Sequence, residues 1–313
     1  MPVLEIAAGL LLLLGGGELL VRGAVGLARQ MGISPLIIGL TLVGFGTSMP
    51  ELVTSVQAAL IGAPGIAIGN VVGSNIANVL LILGLSALIW PLACPAAAIR
   101  RDGTIMMLAS GAMLAIVLSG ALGRIQGALL LAGLVGFLVL SWRAERTSPG
   151  APDTASDAAH PRAATWWGIK VAALSLLGLA ILVLGAQLLV GGAVTLAEKI
   201  GLSQTVIGLT LVAVGTSLPE LATSLVAAWR RHGDIVLGNI IGSNIFNILG
   251  IAGITALVEP LVVPGEIVQL DIWVMLIAAS LLMVFGLLHG CLQRRHGALL
   301  LGGYGLYLGW LVA

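Results

Sequence analysis

Glu51 and Glu220 stand 169 positions apart in matching apolar surroundings, GTSMPE at 46–51 and GTSLPE at 215–220. A carboxylate taken out of water is costly unless something compensates it, and each glutamate has compensating chemistry close by. Thr47 and Glu51 are four apart and share a helix face, which Ser55 extends. Pro50 has no N–H to give and its ring crowds the carbonyl four residues earlier, so it should free the Gly46 carbonyl and kink the helix; Pro219 should do the same to Gly215. Farther along, Asn70, Ser74 and Asn78 recur every four residues in an apolar run, and the same three types return as Asn239, Ser243 and Asn247. Each copy thus offers one carboxylate, several hydroxyls and amides, and free carbonyls, with no Cys or His among them. An oxygen-only set of this kind suits hard cations such as Ca2+, Na+ or Mg2+ over zinc or copper.

These groups lie in an internal duplication. Residues 39–84 and 208–253 align without a gap, and 26 of the 46 positions are identical, including Thr47/Thr216, Ser48/Ser217, Pro50/Pro219, Glu51/Glu220, Ser74/Ser243 and Asn78/Asn247. Hydrophobic residues make up 59% of the chain and charged ones 9%, against roughly 25% charged in a soluble domain. Apolar runs recur that can cross a hydrocarbon core of about 30 Å, a crossing that takes about 20 helical residues. An all-α membrane protein is therefore expected, with ten spans near 4–28, 34–60, 66–90, 104–121, 124–142, 166–196, 203–229, 235–258, 269–289 and 296–313. The spans divide into a first repeat at 1–142, a linker at 143–165 and a second repeat at 166–313. Five spans per repeat is an odd number, so the second copy enters the membrane from the opposite side. Two inverted copies with broken helices would bring Glu51 and Glu220 together at the midplane.

Charge supports that count. With the N-terminus outside, twelve Lys and Arg residues fall at inward ends and only Arg124 and Lys199 at outward ends, which makes the linker cytoplasmic. The linker is rich in Ala, Pro, Ser and Asp and reads as a flexible tether. Glu18 and Arg22, one turn apart, suit an intrahelical ion pair. Glu259, Glu266, Gln269 and Asp271 read as solvated loop chemistry, and His160, His232, His289 and His296 fall in or near loops. Cys94 and Cys291 read as buried structural thiols, Trp166 and Trp167 as interface anchors, and the glycines at 69, 73, 238 and 242 as helix-packing positions. The near balance of 14 basic and 13 acidic residues argues against a nucleic-acid partner. GTSMP is not a GxSxG nucleophile elbow, which argues against a hydrolase. Residues 1–5 lack the basic stretch of a cleavable leader.

GTSMPE and GTSLPE, with GNVVGSNIAN at 69–78 and GNIIGSNIFN at 238–247, resemble the two signature repeats of the sodium/calcium exchanger family, within the cation/calcium antiporter superfamily. The expected ten spans with a central cytoplasmic linker are similar to that family along the whole chain. The resemblance implies that Glu51 and Glu220 are the central Ca2+ ligands, helped by the backbone carbonyls of Thr47 and Thr216. It also implies Na+ sites made by Ser48, Ser217, Ser74, Ser243, Asn78, Asn247 and carbonyls near Gly44 and Ala213. The implied activity is electrogenic exchange of cytoplasmic Ca2+ for Na+ across the inner (plasma) membrane by alternating access. Neither a cofactor nor a partner beyond the lipid bilayer is implied.

The chain departs from part of the family at one position. Some prokaryotic and potassium-dependent members carry Asp where this chain has Asn247, so one ionisable group fewer is expected here. Ca2+/H+ exchange is the alternative reading within transporters, and the GTSxPE of this chain counts against it, since Ca2+/H+ exchangers of the superfamily typically carry a GNxxE pattern at that place. The linker is too short, and too poor in acidic clusters, for the regulatory Ca2+-binding domains of animal members.

Overall fold

A computed structural model describes residues 2–147, 165–199 and 213–312. Most of the expected linker, His160 and the first part of the expected span 203–229 lie outside the described residues. The first copy runs through α1 (Pro2–Met31), α2 (Pro35–Thr47), α3 (Met49–Leu60), α4 (Pro64–Ile89), α5 (Ala96–Ser119) and α6 (Arg124–Thr147). The second runs through α7 (Thr165–Lys199), α8 (Ala213–Thr216), α9 (Leu218–Trp229), α10 (Gly233–Val258), α11 (Ile267–His289) and α12 (Arg294–Val312). Among the described residues, seven helices are long and apolar enough to cross a membrane, or eight when α2 and α3 count as one bent span. The chain is an integral membrane protein built from apolar helices.

The expected break is present, with a different local form. The helix stops at Ser48 (φ −83°, ψ 8°) and restarts, so that α2 and α3 meet at a 42° bend. Ser217 has nearly the same backbone angles (φ −88°, ψ 9°) between α8 and α9. Pro50 and Pro219 therefore stand in the first turn of a new helix, where a missing N–H is tolerated. Two further irregularities are also matched: π-helical turns at Ala77–Leu83 in α4 and Phe246–Ala252 in α10. Such turns are rare and concentrate at functional sites.

The helices carrying Asn78 and Asn247 are the central ones. In α10 89% of the spanning window is buried, and in α4 67%, against 28% for α1, α6 and α7. Close approach is what puts α10 at the centre. A Cβ on Gly242 would fall 2.2 Å from the Leu40 carbonyl oxygen, and one on Gly238 2.5 Å from that of Leu36, so α10 lies directly on the α2 backbone. The positions that would meet Gly69 and Gly73 in the same way, 205–209, lie outside the described residues. Glycines also join α1 to α7, where a Cβ on Gly178 would sit 2.5 Å from the Leu20 backbone nitrogen.

Four short strands tie the copies together crosswise. β1 (Leu92–Ala93) pairs antiparallel with β4 (Cys291–Leu292), and β2 (Ala121–Leu122) with β3 (Leu261–Val262). One further bond extends each pair: Cys94 N–H donates to the Gly290 carbonyl at 2.8 Å and Val263 N–H to the Gly120 carbonyl at 3.0 Å.

Several single residues differ from expectation. Glu18 does pair with Arg22, and it also accepts the Nε of Arg230 at 2.9 Å, a partner 212 positions away. Asp271 is not in a solvated loop. The helix α11 begins before the apolar run does, in a π-helical turn at Ile267–Asp271, and the Tyr307 hydroxyl of α12 donates to the Asp271 carboxylate at 2.9 Å. His296 is buried in the first turn of α12, stacked on Phe285 with ring centroids 4.5 Å apart. Cys94 is buried, which pushes its thiol up to about 12, whereas Cys291 is only half-buried.

The α1/α7 contact gives a stability test. Gly178→Ala forces a methyl group against the Leu20 backbone, and overpacking of this kind costs about 1–3 kcal/mol. The midpoint of thermal unfolding in detergent should fall by several degrees. Gly111→Ala, in α5 with open space at its Cβ position, should hold or raise the midpoint. Equal midpoints for the two variants would contradict the glycine-mediated contact.

Candidate cation site

Glu51 and Glu220 are each 1% exposed, and the serine at the break of one copy binds the glutamate of the other. Ser48 Oγ donates to Glu220 Oε1 at 2.8 Å, and Ser217 Oγ donates to Glu51 Oε1 at 2.9 Å. The crossed pair follows from the local backbone. A continuous helix would turn the Ser48 side chain onto its own barrel, whereas the break leaves it at the end of α2, facing the other copy.

The asparagines of the central helices hold the glutamate segments from behind. Asn70 Nδ2 donates to the Glu51 backbone carbonyl at 3.1 Å and to Ser55 Oγ at 2.9 Å. In the second copy Asn239 Nδ2 reaches the Glu220 carbonyl at 3.4 Å and Ser224 Oγ at 2.9 Å. The threonines cross over again. Thr47 Oγ1 donates to the Val43 carbonyl at 2.9 Å and lies 3.3 Å from Asn239 Oδ1, while Thr216 Oγ1 lies 3.4 Å from Asn70 Oδ1. Ser74 Oγ is 3.4 Å from Ser217 Oγ, and Ser243 Oγ donates to the Gly44 carbonyl at 3.1 Å. Ala213 opens α8 at the position equivalent to Gly44.

Among the described residues, Glu51 Oε2, Glu220 Oε2, Asn78 Oδ1 and Asn247 Oδ1 are buried oxygens without a hydrogen-bond partner, as are Asn75 Oδ1 and Thr223 Oγ1 on the same helices. Burying an acceptor without a partner costs about 1–3 kcal/mol, and more when it is charged. Two carboxylates and two amide oxygens left open in this way form a donor set suited to a hard cation, with serine and threonine hydroxyls beside them. The side chains of Thr47, Thr216, Ser48, Ser217, Ser74, Ser243, Asn78 and Asn247 are all buried, while Asn70 is half-buried. Sequence reasoning missed Asn244, whose Oδ1 accepts Asn78 Nδ2 at 3.0 Å. Its signal was present, because Asn75 and Asn244 are one of the identical pairs of the duplication.

Comparison with known proteins follows the same lines. The family described as "Sodium/calcium exchanger protein" matches residues 2–143 and 170–313. The chain is 41% identical to the putative antiporter CaxA of Alkalimonas amylolytica over 92% of this chain and 91% of that protein. It is 38% identical to the inner membrane protein YrbG of Escherichia coli over 98% and 95% of the two chains. Over a shorter region, 33% of this chain and 30% of that protein, it is 48% identical to the sodium/calcium exchanger MaX1 of Methanosarcina acetivorans. A structure of the sodium-calcium exchanger NCX_Mj soaked with Na+ and Sr2+ superposes with a TM-score of 0.85 at 33% identity, covering 98% of this chain and 97% of that one. On both its sequence and its fold, this chain belongs to the sodium/calcium exchanger family.

Proposed function

We propose that this protein is a secondary antiporter that carries Ca2+ out of the cytoplasm in exchange for Na+, by alternating access at the site between Glu51 and Glu220. The observation that carries this reading is the reciprocal pair Ser48–Glu220 and Ser217–Glu51, which leaves one oxygen open on each carboxylate. A single divalent ion neutralises both glutamates at once. Several Na+ ions can fill the same oxygens in its place, with Thr47, Thr216, Ser74, Ser243 and the carbonyls of Gly44 and Ala213 completing their shells. Glu51 and Glu220 are the ionisable pair at the centre, and Asn247 brings no further proton to the cycle. Exchange of one Ca2+ for more than two Na+ moves net charge, so the transport is electrogenic.

The accompanying topology is ten spans in two inverted five-helix repeats, with the N-terminus outside and the linker cytoplasmic. In this topology α2 with α3, and α8 with α9, each make one broken span. The crosswise strand pairs support it, because paired strands must lie on the same side of the membrane. β1 follows the third crossing and β4 the ninth, both odd, while β2 follows the fourth and β3 the eighth, both even. The distribution of Lys and Arg puts the first pair on the cytoplasmic side.

Two measurements test the reading. Glu51→Gln and Glu220→Gln should each weaken Ca2+ binding by about 100-fold or more, since removing one partner from a buried charge assembly costs about 3–5 kcal/mol. Uptake of radioactive Ca2+ into proteoliposomes should stop in both variants while the protein remains folded; uptake at the wild-type level by either would sink the site. In the wild type, an outwardly directed Na+ gradient should drive uptake and a pH gradient in Na+-free buffer should not. Robust uptake from the pH gradient alone would make this a Ca2+/H+ exchanger.

A further inference from the structure

Asn78 presents a buried oxygen that has no partner among the described residues, yet an amide has two ends of nearly equal shape and only one of them is an oxygen. Two hydrogen bonds decide which end faces where. Asn244 of α10, 2% exposed, donates its Nδ2 to the Met106 sulfur of α5 at 3.6 Å, and its Oδ1 accepts Asn78 Nδ2 at 3.0 Å. A thioether accepts and cannot donate. Met106 therefore fixes the Asn244 amide with its NH2 toward the sulfur and its oxygen toward Asn78. Asn78 must then commit its own NH2 to Asn244, and its oxygen is what remains for the site.

We propose that Asn244 is a positioning residue of the cation site, holding the Asn78 amide so that its oxygen faces the transported cation. The inference rests on the glutamate–serine site being the cation site. It adds a residue outside that set, reached through a methionine that has no chemistry of its own with the ion. The duplication supplies the same types at the equivalent places, Asn247, Asn75 and Met275, and α11 packs against α4 as α5 packs against α10. There the relay is not made. Asn75 gives its Nδ2 to the Val71 carbonyl of its own helix at 2.7 Å, and its Oδ1 is without a partner among the described residues. Among the described residues the two site asparagines therefore differ, Asn78 bonding an asparagine of the other repeat and Asn247 not bonding Asn75.

The test is a double-mutant cycle read by calorimetric titration of the detergent-purified full chain with CaCl2 and, separately, with NaCl. Asn244→Leu frees the Asn78 amide to turn its NH2 inward, and should raise the Kd for the cation that Asn78 contacts about tenfold. In an Asn78→Asp background both ends of the side chain are oxygens, so adding Asn244→Leu should change that Kd by less than about twofold. A merely structural role for Asn244 predicts the same loss in both backgrounds, and that result would overturn the proposal. So would an Asn244→Leu protein that is folded and binds both cations with the wild-type Kd. Met106→Leu keeps the core volume and removes only the one-way acceptor, and should raise the same Kd by about threefold even if Asn244→Leu fails to fold. Wild-type protein that bound neither cation would overturn the site itself, an outcome distinct from equal losses across the cycle.

Discussion

Two carboxylates buried within one membrane interior cannot both be charged and unaccompanied, and the architecture follows from that constraint. Glu51 and Glu220 need donors, and a regular helix has none to spare, because its backbone N–H groups are used within it. Breaking the helix at Ser48 and Ser217 supplies a hydroxyl to each carboxylate from the opposite copy. The compensation stops halfway, with one oxygen on each glutamate left open. A site that satisfied both oxygens internally would have little left to offer a cation.

Holding the broken segments in register is the work of the two central helices. Asn70 and Asn239 grip the glutamate backbone and the serine one turn beyond it, so each break is braced by a helix of its own copy while its hydroxyl reaches into the other. The contact between the copies is a separate matter, and the glycines at 238 and 242 provide it by letting α10 lie on the α2 backbone. The helix with the greatest buried share thus carries Asn239, Ser243 and Asn244, each bonded to another helix, beside Asn247, whose oxygen is without a partner among the described residues.

Away from the centre the symmetry lapses. Glu18 bonds Arg22 on its own helix and Arg230 at the end of α9, a contact the second copy cannot repeat because Gln187 and Ile61 occupy the equivalent positions. Gly17 of α1 lies close to the Ala222 backbone of α9, and Ala222 is 8% exposed, whereas its counterpart Val53 on α3 is 53% exposed. The copies share a sequence pattern at the site and take different packing around it.

The sequence by itself determined the membrane class, the apolar helices, the family and the helix break at Ser48, and it singled out the glutamate, serine, threonine and asparagine pairs as candidates, because composition, proline placement and duplication are local or repeated signals. Only the tertiary structure decided which groups meet. Ser48 serves the distant Glu220 rather than the nearby Glu51, and Asn78 is turned by Asn244, with Met106 behind it. Arg230 reaches Glu18 across 212 positions, and Tyr307 reaches Asp271 across 36. The span expected from residue 269 begins at Ile267 in α11; what hydropathy could not supply is that the Asp271 carboxylate in its first turns is met by the Tyr307 hydroxyl of the next helix. A spacing rule reads one helix at a time, and these pairings exist only because two copies of the same segment face each other in space.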